Sequence, residues 1–155
     1  MRHAASTGGP RNFDGGKLVT GRKRFILVDT LGMLLGVVVV SAHLSECAEG
    51  LRLARYLAGV LPRLQKIVAD QGYRGDAFAT EIQQTLGCAV EIVAHPPGQR
   101  GFAVLPKRWI VERCFAWYGR NRRLSKEYEY VPLYSATHIY LASIGFMTNR
   151  LARIL

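Results

Sequence analysis

Residues Met33 to Ala42 read MLLGVVVVSA, with four consecutive valines, and this run constrains the fold more than any other stretch of the chain. Valine is stiff at χ1 and packs well on a pleated surface, so the run predicts a strand. Its apolar residues are continuous rather than alternating, which implies that the strand is covered on both faces. Arg24 to Thr30 (RFILVDT) is also β-rich, and Leu31-Gly32 supplies a turn between the two segments. Strand, tight turn and strand predict a hairpin.

Downstream the pattern changes. Ser45 is placed as an N-cap, with Glu46 and Glu49 in the first turn, where the helix dipole favours acids. Leu51, Leu53, Ala54, Leu57 and Val60 form an apolar stripe, so the helix is expected to run to about Val60, before Pro62. Lys66 to Asp70 (KIVAD) reads as a short buried strand ending on an acid, followed by Gln71-Gly72. A helix over Gly75–Leu86 is closed by Gly87, and Ala89 to Ala94 reads as another strand. His95 to Pro106 is loop. From Lys107 to near Gly119 a helix carries Ile110, Cys114 and Trp117 on one face, with Val111, Phe115 and Tyr118 beside them. A last helix is expected over about Leu133–Leu155, apolar through Ile139, Tyr140, Ile144, Phe146, Met147 and Leu151. The order is that of a mixed α/β layer with helices packed on a sheet.

Residues 1–21 hold five of the sixteen glycines plus Pro10 and show little periodicity, so they read as a flexible, Gly-rich basic arm. Residues 22–155 are then a single domain, which suits a chain of 155 residues. Charge is unevenly spread. Residues 1–24 carry six basic groups against Asp14, and residues 100–126 carry eight against Glu112 alone. The centre, residues 25–99, is slightly acidic. Two basic blocks fit a polyanion binder, through phosphate contacts that release counterions. They also fit a solvated surface kept soluble by its charge. Cys47, Cys88 and Cys114 are widely spaced and odd in number, which fits neither a disulfide framework nor a zinc ribbon. The apolar run Leu31–Ala42 is far short of the roughly 20 residues needed to span a bilayer, and the N-terminus has no apolar signal region. A reduced cytoplasmic setting without membrane partners is the expectation.

Two acids stand out by position. Asp70 ends a buried strand just before the Gly72 turn, and ligands of open α/β sheets gather at such strand ends. Glu112 is the one acid in a strongly basic helical stretch, with Arg108 four residues earlier on the same face. Carboxylates from a strand end and a helix suit Mg²⁺, a hard cation that prefers oxygen ligands. A turn-forming Asp and a surface ion pair explain the same two residues without any metal. His43 lies between a strand and a helix cap, where a loop hydrogen bond fits better than catalysis. His95 and His138 lack metal-ligand spacing. Trp117 and Tyr118 read as core, while Trp109 fits either a core or a base-stacking role.

Three blocks carry a resemblance. Gly21–Val39 (GRKRFILVDTLGMLLGVVV), Val68–Gly75 (VADQGYRG) and Gly101–Glu129 (GFAVLPKRWIVERCFAWYGRNRRLSKEYE) are similar, in this order, to the catalytic domain of bacterial insertion-sequence DDE transposases. The resemblance covers nearly the whole chain from about Gly8. It implies a ribonuclease H-like fold and DNA cleavage and strand transfer with two Mg²⁺ (or Mn²⁺) ions held by two Asp and a Glu. The second Asp falls on Asp70 and the Glu on Glu112. The Arg of the family's Y-R-E-K signature falls on Arg108, whereas its Tyr and Lys positions are Leu105 and Gly119 here. Arg120 adjoins the missing Lys.

The family's first Asp lies on a strand ahead of a Gly-rich loop, and this chain begins with that loop. Asp14 lies within the loop, and Asp29 belongs to the hairpin, a place the family does not use for metal. The expectation is therefore a C-terminal portion of a transposase lacking the first strand and the first catalytic Asp, inactive in cleavage by itself. Double-stranded DNA is the implied partner, contacted by Arg22, Lys23, Arg24, Lys107, Arg108, Arg113, Arg120, Arg122 and Arg123. A second copy or an upstream-frame product are further partners, and the nucleoid of a bacterial cytoplasm is the implied location. Two other functions fit: a catalytically inactive basic DNA-binding or regulatory fragment, and a metal-dependent nuclease of the same fold.

Overall fold

Residues 2–3, 9, 12–14, 19–93 and 107–154 are described by the computed structural model. They divide into two units, Met1–Leu44 with Ile110–Leu155, and Ser45–Trp109. The expected loop His95–Pro106 lies outside the described residues.

In the first unit, strands β1 (Arg2–His3), β2 (Asn12–Asp14), β3 (Val19–Val28) and β4 (Leu34–Ser41) form one antiparallel sheet, with β3 paired to each of the others. The hairpin is present, with Arg22 opposite Ser41 and Phe25 opposite Val38. β3 starts at Val19, earlier than Arg24, because β1 and β2 pair with Val19–Arg22 and draw that glycine- and charge-diluted stretch into the sheet. Val37, Val38, Val39 and Val40 are all buried, so β4 is covered on both faces as its composition implies. At the turn, Asp29 Oδ1 accepts from the N–H groups of Leu31 and Met33, each at 2.8 Å. Gly32 follows with φ of 85°, a left-handed conformation that costs glycine nothing.

The core of this unit joins Leu34, Val37 and Val39 to Cys114, Tyr118, Leu124, Ala136 and Ile139. The last five come from helices α3 (Arg108–Arg120), α4 (Arg122–Ser125) and α5 (Pro132–Leu151), numbered after two helices of the second unit. Tyr118 donates its hydroxyl to Ser143 Oγ at 2.9 Å, and Ser143 donates onward to the Ile139 carbonyl. α5 is shorter than expected, and Tyr140, Ile144 and Leu151 are exposed. Its fully buried face is narrow, made by Ser135, Ala136, Ile139 and Ser143, with Phe146 and Met147 packed half-buried against the core while Ile144 and Leu151 stay at the surface.

The second unit contains α1 (Glu46–Leu57), β5 (Lys66–Ala69), a 3₁₀ turn (Gln71–Tyr73), α2 (Asp76–Leu86) and β6 (Ala89–Ile92). β5 and β6 run parallel, Lys66 opposite Ala89 and Ala69 opposite Ile92, as the α2 crossover requires. Ala54, Phe78, Ile82 and Cys88 make its core. α1 ends at Leu57 and Val60 is exposed, because Gly59 turns the chain at φ of 75° before the stripe is complete. Gly87 closes α2 in the left-handed conformation, φ 67°. The arrangement is mixed α/β.

Candidate functional site

Asp70 stands at the carboxyl end of β5, where the strand stops and the 3₁₀ turn begins. Its side chain caps that turn, Oδ1 accepting from Gly72 N–H at 3.0 Å. The residue is exposed, and Oδ2 is the carboxylate oxygen the turn does not use. A Cβ at Gly72 would meet the Glu46 carboxylate and lie 3.1 Å from Asp70 Oδ1, so the Glu46 side chain would have to shift. Glu46, in the first turn of α1, is therefore a neighbour of Asp70. Sequence reasoning placed Glu46 only as a dipole partner, because nothing local shows that α1 packs beside the turn. Tyr73 closes the group. Burial pushes its phenol well above the ordinary tyrosine range, and the charges of Asp70 and Glu46 push in the same direction.

In the first unit Glu112 lies exposed on α3. Arg108 occupies the preceding turn of that helix. Arg113 donates to the Leu31 carbonyl at 2.8 Å, and its guanidinium lies 4.8 Å from the centre of the Trp117 ring. Cys114, next along, is fully buried, and burial pushes its thiol up. It serves packing, as its helical face implied.

The expected DNA contacts divide sharply. Arg22 is only 3% exposed, and it donates to Glu127 and to the carbonyls of Glu129 and Tyr130. Arg24 donates to the other Glu127 oxygen at 3.0 Å and to the Leu124 carbonyl. Ser135 adds a third hydrogen bond to Glu127. Both arginines thus turn inward to a buried acid that no local pattern singled out. Lys23 reaches the Leu44 carbonyl. By contrast Lys107, Arg120, Arg122 and Arg123 are exposed, and Arg123 pairs with Glu129 at 2.9 Å. His43 makes the loop contact expected of it, 2.9 Å from Asn12 Nδ2. Trp109 is 49% exposed, while Trp117 is half-buried. Among the described residues, no group of three or more His, Cys, Asp or Glu side chains is placed to hold a metal ion. No described helix is long and apolar enough to cross a membrane.

The family model described as Transposase DDE domain matches residues 2–131. The chain belongs to this family. No curated protein and no solved structure matches it. For a transposase DDE domain, a transposition-related role and a DNA substrate follow from the family. The family also typically uses divalent metals, which makes the oxygen donors at Asp70 and Glu112 the ones of interest.

Proposed function

We propose that this chain acts as a transposase catalytic domain of ribonuclease H-like type, which binds duplex DNA and, in the intact protein, cuts and joins it. The observation that carries the reading is the exposed Asp70 carboxylate at the carboxyl end of a parallel strand, in a chain of the DDE family. Asp70 and Glu112 would each supply a hard oxygen donor of the kind that suits Mg²⁺. When bound, the metal stabilises charge on the attacking and leaving oxygens of an in-line phosphoryl transfer. The Gly72 N–H holds Asp70 in one orientation by occupying Oδ1. Arg108 steadies phosphate or Glu112. Lys107, Arg120, Arg122 and Arg123 supply exposed charge for the DNA backbone.

The direct test is the intact transposase carrying this domain, with transposon-end DNA, target DNA and Mg²⁺, scored for cleaved and joined products. Asp70→Asn and Glu112→Gln are each expected to lower product by ~10²-fold or more, the cost of removing a group that stabilises transition-state charge. DNA affinity should change little. Full product from either variant refutes the assignment. Cleavage without joining would identify a nuclease, and binding without cleavage a DNA-binding or regulatory fragment.

A further inference from the structure

From Pro132 to Asn149 the sequence of α5 contains no Asp, Glu, Lys or Arg. A surface helix ordinarily sets a charged face opposite its apolar one. Here the face turned away from the core is apolar as well. Leu133, Thr137, Tyr140, Ile144, Thr148 and Leu151 fall at i, i+4, i+7, i+11, i+15 and i+18, one straight stripe at 3.6 residues per turn. All six are exposed, and the four large ones are between 44% and 68% exposed. A contiguous apolar surface of this length marks an interaction site.

The order of residues along the stripe identifies what covers it. From either end it reads Leu, Thr, a large residue, a large residue, Thr, Leu. Two copies laid antiparallel about a two-fold axis near Ala142 put Leu133 opposite Leu151, Thr137 opposite Thr148 and Tyr140 opposite Ile144. Each contact then occurs twice, as an isologous interface demands. The threonine hydroxyls are already used within their own helix, Thr137 donating to the Leu133 carbonyl at 2.9 Å and Thr148 to the Ile144 carbonyl at 3.0 Å. The pairing therefore buries no unsatisfied hydroxyl. An antiparallel direction opposes the two helix dipoles and keeps Arg150 and Arg153 of one copy away from those of the other. Covering the stripe with its flanks Tyr134 and Leu141 removes on the order of 700 Å² per copy, against the ~800 Å² per partner of a standard stable interface. We propose that the outer face of α5 pairs antiparallel with the same face of a second copy of this chain.

Sedimentation equilibrium of the purified chain, without DNA or metal, tests the pairing apart from the reading of Asp70 and Glu112. Wild type should form a dimer with a Kd of about 1 μM or tighter, the weak end for interfaces of this area. Ile144→Glu, an exposed change close to the two-fold axis, should weaken the dimer by about 30-fold or more, the scale of a central interface residue. Leu133→Glu, at the edge of the stripe, should weaken it less. Both variants lie outside the buried core, so their urea midpoints should stay near wild type. Tyr140 is left in place because its hydroxyl accepts from the Val37 N–H at 3.2 Å and so also holds β4. Direction is read by cross-linking. Thr137→Cys mixed with Thr148→Cys should link on mild oxidation, and neither alone should link beyond the wild-type level, which reports the partly exposed Cys47. A chain that stays monomeric at every concentration overturns the proposal, as does a dimer that both Glu variants leave intact. Self-linking of Thr137→Cys alone overturns the antiparallel arrangement. A monomer that cosediments with phosphatidylserine vesicles would assign the face to a lipid surface instead.

Discussion

Glu127 illustrates how much one residue organises. Its two oxygens accept from Arg22, Arg24 and Ser135, and its side chain is only 4% exposed. A buried charge is tolerated only when paired and hydrogen-bonded, and removing one partner strands the others. Glu127→Gln is therefore expected to destabilise the protein by about 3–5 kcal/mol in urea unfolding, because two guanidiniums lose their countercharge. Asp29 is a second test of role. Its Oδ1 holds the hairpin turn through two backbone N–H groups. Asp29→Ala should cost about 1–2 kcal/mol, since both donors lose their acceptor. Asp29→Asn, which keeps an acceptor oxygen, should be near wild type in stability and in any DNA cleavage. A loss of cleavage in a folded Asp29→Asn protein would show that this Asp is a metal ligand.

The helices differ in how their ends are satisfied. Ser45 occupies the N-cap position of α1 but makes no side-chain cap bond. Asn121 caps α4, its side chain accepting from the Arg123 N–H at 3.1 Å. Ser45→Ala should therefore change stability by only a few tenths of a kcal/mol, whereas Asn121→Ala should cost ~1 kcal/mol, the usual value for a lost cap. Equal losses in chemical denaturation would contradict this difference. The sequence around Ser45 showed where α1 begins, because acids and the apolar stripe are local signals. It could not show the missing cap bond, which depends on the side-chain rotamer. α4 was not legible at all. Four residues, Arg122–Ser125, are too short for periodicity, and the helix is tied down by Leu124 in the core.

At the scale of the whole molecule, two responses follow. Burial pushes the Cys88, Cys114, Tyr73 and Tyr118 groups above their ordinary values, 9.0 for cysteine and 10.0 for tyrosine. Above those values the unfolded chain gives up protons that the folded chain keeps, so raising the pH favours unfolding. The urea midpoint should hold up to about pH 8.5 and then fall steadily as the pH climbs past 10. A midpoint that rises over that window would contradict the burial of these groups. DNA binding should weaken steeply with salt. Replacing Arg120, Arg122 and Arg123 together by Ala should weaken binding to all sequences alike and lower the log–log salt slope by roughly 1 per lost phosphate contact. An affinity that ignores ionic strength would leave the basic surface without a DNA role.

Short-range chemistry was readable from the chain itself. The valine run, the Leu31-Gly32 turn and the Gly87 cap each depend on a few neighbouring residues and stand where those residues put them. The strand read as buried over Lys66–Asp70 instead stops at Ala69 and is only partly buried, with Asp70 capping the turn that follows. The three family-like blocks also lie in contiguous sequence, which is why the family was legible before the fold. The fate of the charges was not. Arg22 and Arg24 resemble a DNA-facing basic block until Glu127, 105 positions away from Arg22, arrives beside them. The same holds for Glu46 beside Asp70, and for α5, where Ile139 and Phe146 meet the core while Ile144 and Leu151 stay at the surface. Hydrophobic period and backbone capping act within a few residues, so sequence determines them. Whether a charged side chain meets water or a buried partner depends on which distant elements fold against it, and that is settled only by tertiary packing.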